Sequence, residues 1–295
     1  MTNSILTITS EQNNGKGKEN MIKFDTKFYI YELLNKKLLN SINFSNYNIL
    51  ICDYNEDSIR ATGLAKKYFK TLENMLLFYE QICENALKQN PLLRIYQQPS
   101  KCSWIGNKEK TYQMLKTIIN NEDVFAIPTI STINNEDDLS SITSFPIILK
   151  TVINTGKERK LDCIVKSLKH AKQKYREFFI KYKEIIAVQY INSRIIHLKC
   201  NHFLRLFIIN DSLIDWSIRP SSDWNIHSQN TITKKSQSAE DYINPIINEH
   251  MEKINYFIKK MYDILGEGFY AWDVIYNKEK NKFFICELGL KYFDY

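Results

Sequence analysis

The 295-residue chain is 44% hydrophobic and 25% charged, with 8 glycines and 6 prolines, which excludes collagen-like, low-complexity and linker-dominated architectures. Its net charge of +7 comes from scattered lysines and arginines, compatible with a polyanionic ligand, but no dense basic helix or zinc-finger pattern argues for nucleic acid. Six single cysteines without a CxxC pair fit reduced thiols in the cytoplasm, and no stretch approaches membrane-spanning length.

Residues 1–20, rich in Asn, Lys, Gly and Ser, read as a disordered leader, and 21–105 as a small α/β lobe. In that lobe Tyr47–Asp53 is a short buried strand ending in an acid. Helical spacing follows from Ser58 to about Phe69 and again from Leu72 to Lys88. A loop is expected from Asn90-Pro91 through Ser103, then a helix over 108–120 with Tyr112, Leu115 and Ile118 on one face. Phe125–Thr129 reads as a strand stopped by Pro128, and 134–144 as a polar loop. Phe145–Lys150 is a strand with a lysine at its end. The polar loop 151–160 leads to a strand over Leu161–Val165, a basic helix from Leu168 to about Tyr182 and a buried strand over Ile185–Ile191. Phe203–Ile209 and Leu213–Arg219 flank an Asn210-Asp211 turn, a hairpin signal. A polar loop over 220–240 and a helix from about Asp241 to Leu265 precede the final hairpin, Gly266–Tyr295.

The final hairpin organises the rest. Asp273 lies within an apolar strand and Glu287 ends another, and a buried carboxylate is costly unless it is paired or holds a cation. Two acids facing each other across a hairpin suit a hard cation such as Mg²⁺ carrying a phosphate, with two structurally satisfied carboxylates as the alternative. Upstream, Lys108 starts a helix, Lys150 ends a strand, and Arg205 and Arg219 lie on the preceding hairpin. Two lysines, two arginines and two acids make the set that a nucleoside triphosphate with Mg²⁺ requires. Lys108 also reads as a solvated helix-start lysine, Arg205 as a solvent-facing residue of a half-exposed sheet, and Arg219 as the start of a loop. Asn225 and His227, in the loop after Arg219, read as surface residues or as metal neighbours.

The text NP…GNKEKTYQML…IPT, FPIILK, VQYI, LRLFIIND, SIRPSSDW and GFYAWDVI…FFICEL, in this order, resembles the ATP-grasp superfamily over roughly residues 88–291. The part from Asn90 to Thr129 looks most like the peptide- and protein-modifying members, the ribosomal-protein glutamate ligases and the graspetide macrocyclases. The resemblance implies an α/β (α+β) ATP-grasp fold, with the N-terminal lobe, a small central subdomain over 106–190 and a C-terminal subdomain over 191–295 carrying the metal hairpin. By the same resemblance Lys108 and Lys150 contact ATP phosphates, with Lys150 near the adenine side. Gln189, Tyr190 and Ile191 form the adenine hinge, Arg205 and Arg219 are catalytic at the γ-phosphate, and Asp273 and Glu287 ligate Mg²⁺.

The implied reaction is ATP-dependent carboxylate–amine or carboxylate–hydroxyl ligation through an acyl-phosphate. The implied partner is a peptide or a small carboxylated metabolite, with no nucleic acid or membrane, and a homo-oligomer is compatible. Gly289 replaces the usual metal-site asparagine, Thr151–Lys160 carries only Gly156 where the family loop is glycine-rich, and the sequence ends at Tyr295, shortly after Glu287. Two alternatives stand beside the ligase. One is a kinase, since the ending also resembles the inositol-phosphate kinases. The other is a nucleotide- or peptide-binding protein without turnover.

Overall fold

The computed structural model describes residues 4–9, 26–53, 63–105, 107–152, 163–179, 185–224 and 231–290. The chain builds three sheets. The first is parallel, in the order β2-β1-β3-β4, from β1 (Ile5–Thr9), β2 (Thr26–Tyr29), β3 (Ile49–Asp53) and β4 (Arg94–Tyr96). Helix α1 (Leu72–Gln89) makes the crossover to β4. It is capped by the Thr71 side chain, which accepts from Asn74 N–H, and it buries Met75, Tyr79, Ile82, Cys83 and Ala86 at helical spacing.

β1 corrects the expected leader. Ile5–Thr9 alternate so that Leu6 and Ile8 enter the core with no exposed surface. Five residues set in polar text carry too little periodicity to stand out. The expected loop 90–103 holds β4 and a one-turn helix, Pro99–Cys102. Three residues pairing along an edge leave little pattern to read. Gln97, at φ 58°, then turns the chain: its N–H donates to the Glu267 carbonyl (2.7 Å) and its side-chain amide to the Phe269 carbonyl (2.9 Å). Arg94 grips Glu267 at 2.9 and 2.6 Å. These contacts seat the first lobe on the start of the final hairpin.

Helix α2 (Lys108–Ile118) begins at an Asn107 cap, and β5 (Phe125–Ala126) follows. The second sheet, antiparallel in the order β6-β9-β7-β8, is formed by β6 (Ile130–Ile133), β7 (Ile147–Thr151), β8 (Cys163–Val165) and β9 (Ile185–Gln189). Pro128 therefore divides two strands, β5 and β6, which join different sheets. The expected polar loop 134–144 contains a 3-10 helix, Glu136–Ser141, with a capping box between Asn135 and Asp138. Helix α3 (Leu168–Lys174) covers one face of this sheet, closing a core of Ile133, Leu149, Val165, Ala171 and Ile185.

The third sheet runs β10-β11-β13-β14-β5, with β12 beside β11. Its members are β10 (Arg194–Ile195), β11 (Cys200–Ile209), β12 (Ser212–Ser221), β13 (Phe269–Asn277) and β14 (Lys282–Gly289). Asn210, at φ 56°, supplies the tight β11–β12 turn. Helix α4 (Ser236–Leu265) lies on the back of the sheet, and its Phe257 ring sits 4.8 Å from Phe125 and 5.9 Å from Trp272. It starts before the expected Asp241 and carries Pro245 inside; burial of Ala239 and Ile243 outweighs the missing N–H. No helix among the described residues is long and apolar enough to cross a membrane.

Residues 1–3 and 10–20 of the leader, 58–62 of the first expected helix, the loop 153–162 with Gly156, Asn225, His227 and the ending 291–295 lie outside the described residues.

Candidate functional site

Alternation in β11 and β13 makes the site. Leu204, Leu206, Trp272 and Val274 point into the core, at 0–1% exposure, so Arg205 and Asp273 emerge together on the opposite face. The register aligns Ser217, Arg205, Asp273 and Glu287 as successive cross-strand partners over β12, β11, β13 and β14. Between Arg205 and Asp273 the guanidinium and carboxylate form a two-point pair, Nε–Oδ1 2.7 Å and Nη2–Oδ2 2.8 Å. Arg219 shares that face, two residues along from Ser217 and opposite Phe203. It is half-buried, and its side chain makes no ion pair or hydrogen bond among the described residues.

The β13–β14 register slips next to Asp273: Val274 pairs with Ile285 and Asp273 with Glu287, so Cys286 is the extra residue of a bulge. Tyr112, from α2, donates its hydroxyl hydrogen to the Cys286 carbonyl at 2.9 Å and so fastens the helix to the bulge. The Cys286 thiol is pushed up to about 12 by burial, with Lys150 pulling it down and Asp273 and Glu287 pushing it up. The charges of Lys150, from the second sheet, and of the two hairpin acids therefore all act on this thiol. A small cavity there is lined by Lys108, Thr111, Tyr112, Cys286, Glu287 and Leu288. Lys108 enters because it opens α2, one turn before Tyr112 on the same helix face.

Lys150 projects from the β7 face that also carries Ile148, while Ile147 and Leu149 fill the core behind. Its cross-strand partner Ile186 packs with Val188, Val152 and Tyr112, so this face of the second sheet is turned to α2. Gln189 lies three residues further along β9 than Ile186, roughly 10 Å at the rise of a strand. The N–H of Gln189 donates to the Thr129 carbonyl (2.8 Å) and that of Tyr190 to the Pro146 carbonyl (3.1 Å). Two of the three expected hinge amides are therefore engaged within the protein, while Ile191 N–H has no partner among the described residues. Burial raises the Tyr190 phenol, opposed by Arg194.

Arg205, Asp273 and Glu287 form one cross-strand row with Arg219 at its margin, Lys108 lines the cavity with Glu287, the charge of Lys150 acts on the adjoining Cys286, and Gln189–Ile191 lie at the far end of β9. Tyr112 and Cys286 belong to the site and were not expected. The signal for Tyr112 was its spacing from Lys108; Cys286 had none, because a bulge leaves no trace in an apolar run. Glu287, in the cavity beside Lys108, is the carboxylate there that would hold a Mg²⁺. The position beyond it, Gly289 opposite Ala271, offers no donor, and no group of three potential ligands exists among the described residues.

No protein-family model and no curated relative matches the sequence. Solved structures do. N5-carboxyaminoimidazole synthetase from Staphylococcus aureus superposes with a TM-score of 0.52 at 12% identity, over 99% of this chain and 71% of that one. N5-carboxyaminoimidazole ribonucleotide synthetase from Thermotoga maritima gives 0.51 at 12% identity, over 97% of this chain and 62% of that one. D-alanine–D-alanine ligase from Bacillus anthracis, solved with ATP, gives 0.51 at 11% identity, over 97% and 85%. The chain thus spans between three fifths and nine tenths of the neighbours it matches. At such identity the likeness speaks for architecture, and with the sheet order above it establishes that the chain has the ATP-grasp fold.

Proposed function

We propose that the protein is an ATP-dependent carboxylate ligase, joining a carboxylate of a peptide or small metabolite to an amine through an acyl-phosphate. The observation that supports this is the row Arg205, Asp273 and Glu287, with Lys108 beside Glu287 in one cavity at a helix start and the charge of Lys150 acting on the adjoining Cys286. Lys150 and Lys108 hold the phosphates, and the N-terminus of α2 adds its dipole to their charge. The base of the nucleotide lies along β9 toward Ile191, whose N–H is the amide left for it, and the strand run from Ile186 to Gln189 matches the reach from phosphate to base. Glu287 and Asp273 would hold the Mg²⁺, which would supply charge neutralisation for the phosphates. Arg205, aided by Arg219, stabilises the charge that develops as a carboxylate oxygen attacks the γ-phosphorus and ADP leaves. The amine then attacks the acyl carbon, phosphate departs, and the amine loses its proton.

The test is Mg·ATP-dependent ADP release with a panel of carboxylates and amines, with hydroxylamine added to trap the acyl-phosphate. A hydroxamate formed only with ATP and carboxylate supports ligation. Phosphate transfer to an alcohol without a hydroxamate replaces it with a kinase. A second reading, nucleotide binding without turnover, draws on Gly289 and on the Arg205 grip over Asp273. It predicts tight Mg·ATP binding with no ADP released under any combination.

A further inference from the structure

We infer that Cys52 and Cys83 are an oxidisable pair, joined as a disulfide by hydrogen peroxide and returned to thiols by a reductant, which staples helix α1 to the first sheet. Neither residue belongs to the candidate nucleotide site, so the inference stands apart from the ligase reading. Cys52 lies on the core face of β3, in register with Ile8, and Cys83 lies on the buried stripe of α1. Their sulfurs stand 3.4 Å apart and share a hydrogen bond, and both residues have no exposed surface. Bond formation asks the sulfurs to close by about 1.4 Å, to a length of about 2.05 Å. The two elements are already held together here: one turn before Cys83, the Tyr79 hydroxyl donates to the carbonyl of Asp53, the residue after Cys52, at 3.2 Å. Cys102, a third buried thiol of this core, gives its hydrogen to the Gln98 carbonyl at 3.1 Å.

Such a pair is slow to react and well placed once it does. The hydrogen bond with Cys83, and then burial, hold the Cys52 thiol well above its ordinary range, so thiolate is scarce while α1 is seated. Oxidation therefore proceeds through local opening of the helix. One thiolate attacks a peroxide oxygen, and the S–O bond forms as the O–O bond breaks. Hydroxide leaves and is protonated to water, and a sulfenic acid remains. The second sulfur then attacks the first: the S–S bond forms, the S–O bond breaks, and the second thiol's proton departs with the leaving oxygen as water. Two thiols and one hydrogen peroxide thus give one disulfide and two waters. With the partner sulfur at hand, this capture outruns attack by a second peroxide, which would carry the sulfenic acid on to sulfinic acid. The link closes the chain between β3 and α1 and so restricts the unfolded state.

The test treats the folded full chain with hydrogen peroxide, blocks the remaining thiols and maps the peptides by mass without reductant. The wild type is expected to lose two hydrogens, with the peptides that hold Cys52 and Cys83 joined. Its urea midpoint should rise with the link and return after dithiothreitol. Cys83→Ala, a residue that a helix accepts, should form no link, show no rise and carry sulfinic acid at Cys52. Should Cys83→Ala not fold, the wild-type map decides by itself. Sulfinic acid at Cys52 of the wild type without a link, a link to Cys102 instead, or thiols that stay reduced until the chain unfolds would overturn the pair. A link that leaves the midpoint unchanged or lowers it would overturn the staple.

Discussion

Lys150 shows how much one residue of a strand reveals. A lysine alternating with Ile147 and Leu149 cannot share their core, so its exit to the other face follows from period alone. What the sequence did not show was the company it keeps. Its charge acts on the Cys286 thiol alongside those of Asp273 and Glu287. Lys150→Ala is expected to weaken ATP binding roughly 10–100-fold, the value of a charge-assisted hydrogen bond of about 1.5–3 kcal/mol. Unchanged affinity by calorimetry would remove Lys150 from the site. Arg205 was legible in the same way, flanked by two core leucines. Its partner was not, because pairing with Asp273 depends on a register that no alternation encodes. Asp273 was expected as a ligand and is found held by an arginine.

The elements that carry the site were read well where they are long. α1, α2 and the hairpins of the third sheet have enough turns or alternations to declare themselves. β1 and β4 do not, since each is short and gains its place from neighbours distant in sequence. α2 does more than offer Lys108: the Tyr112 hydroxyl ties it to the bulge. Tyr112→Phe is expected to cost about 1 kcal/mol in denaturant unfolding, the net value of one buried hydrogen bond. A neutral result would mean that the clasp is dispensable.

β11 also carries His202, 2% exposed, whose Nδ1 faces the Ser193 carbonyl. Since a carbonyl only accepts, that nitrogen carries the hydrogen. Burial lowers this histidine to about 4, the Ser193 bond opposing. In the unfolded chain it titrates near the usual 6.5, so between those values the unfolded state holds more protons. Stability should therefore fall as pH drops from about 6.5 toward 4, by up to about 3 kcal/mol. His202→Gln should flatten that limb of the stability curve; a limb as steep as in the wild type would assign the acid sensitivity elsewhere.

At the scale of the molecule, one continuous core runs from Leu6, Leu50 and Tyr79 of the first lobe to Leu206, Phe257 and Trp272 of the third sheet. The second sheet keeps its own core around Ile133, Leu149 and Ile185. Hydrogen exchange should accordingly show β6–β9 opening at lower free energy than β11 and β13. Equal protection throughout would contradict that partition. On the proposed ligase reading, the second sheet would move over a nucleotide held against the rest of the molecule and so keep water from the reactive intermediate. The order of motifs made this fold readable, but not the substrate, since no residue of the described front lobe carries a decodable pattern.

The measurement that bears most directly on all of this is calorimetric titration of Mg·ATP into the wild type and Lys150→Ala. Micromolar-range binding by the wild type, largely lost in the variant, is the predicted result. No heat with either protein, or equal affinity in both, would contradict a nucleotide site between these sheets.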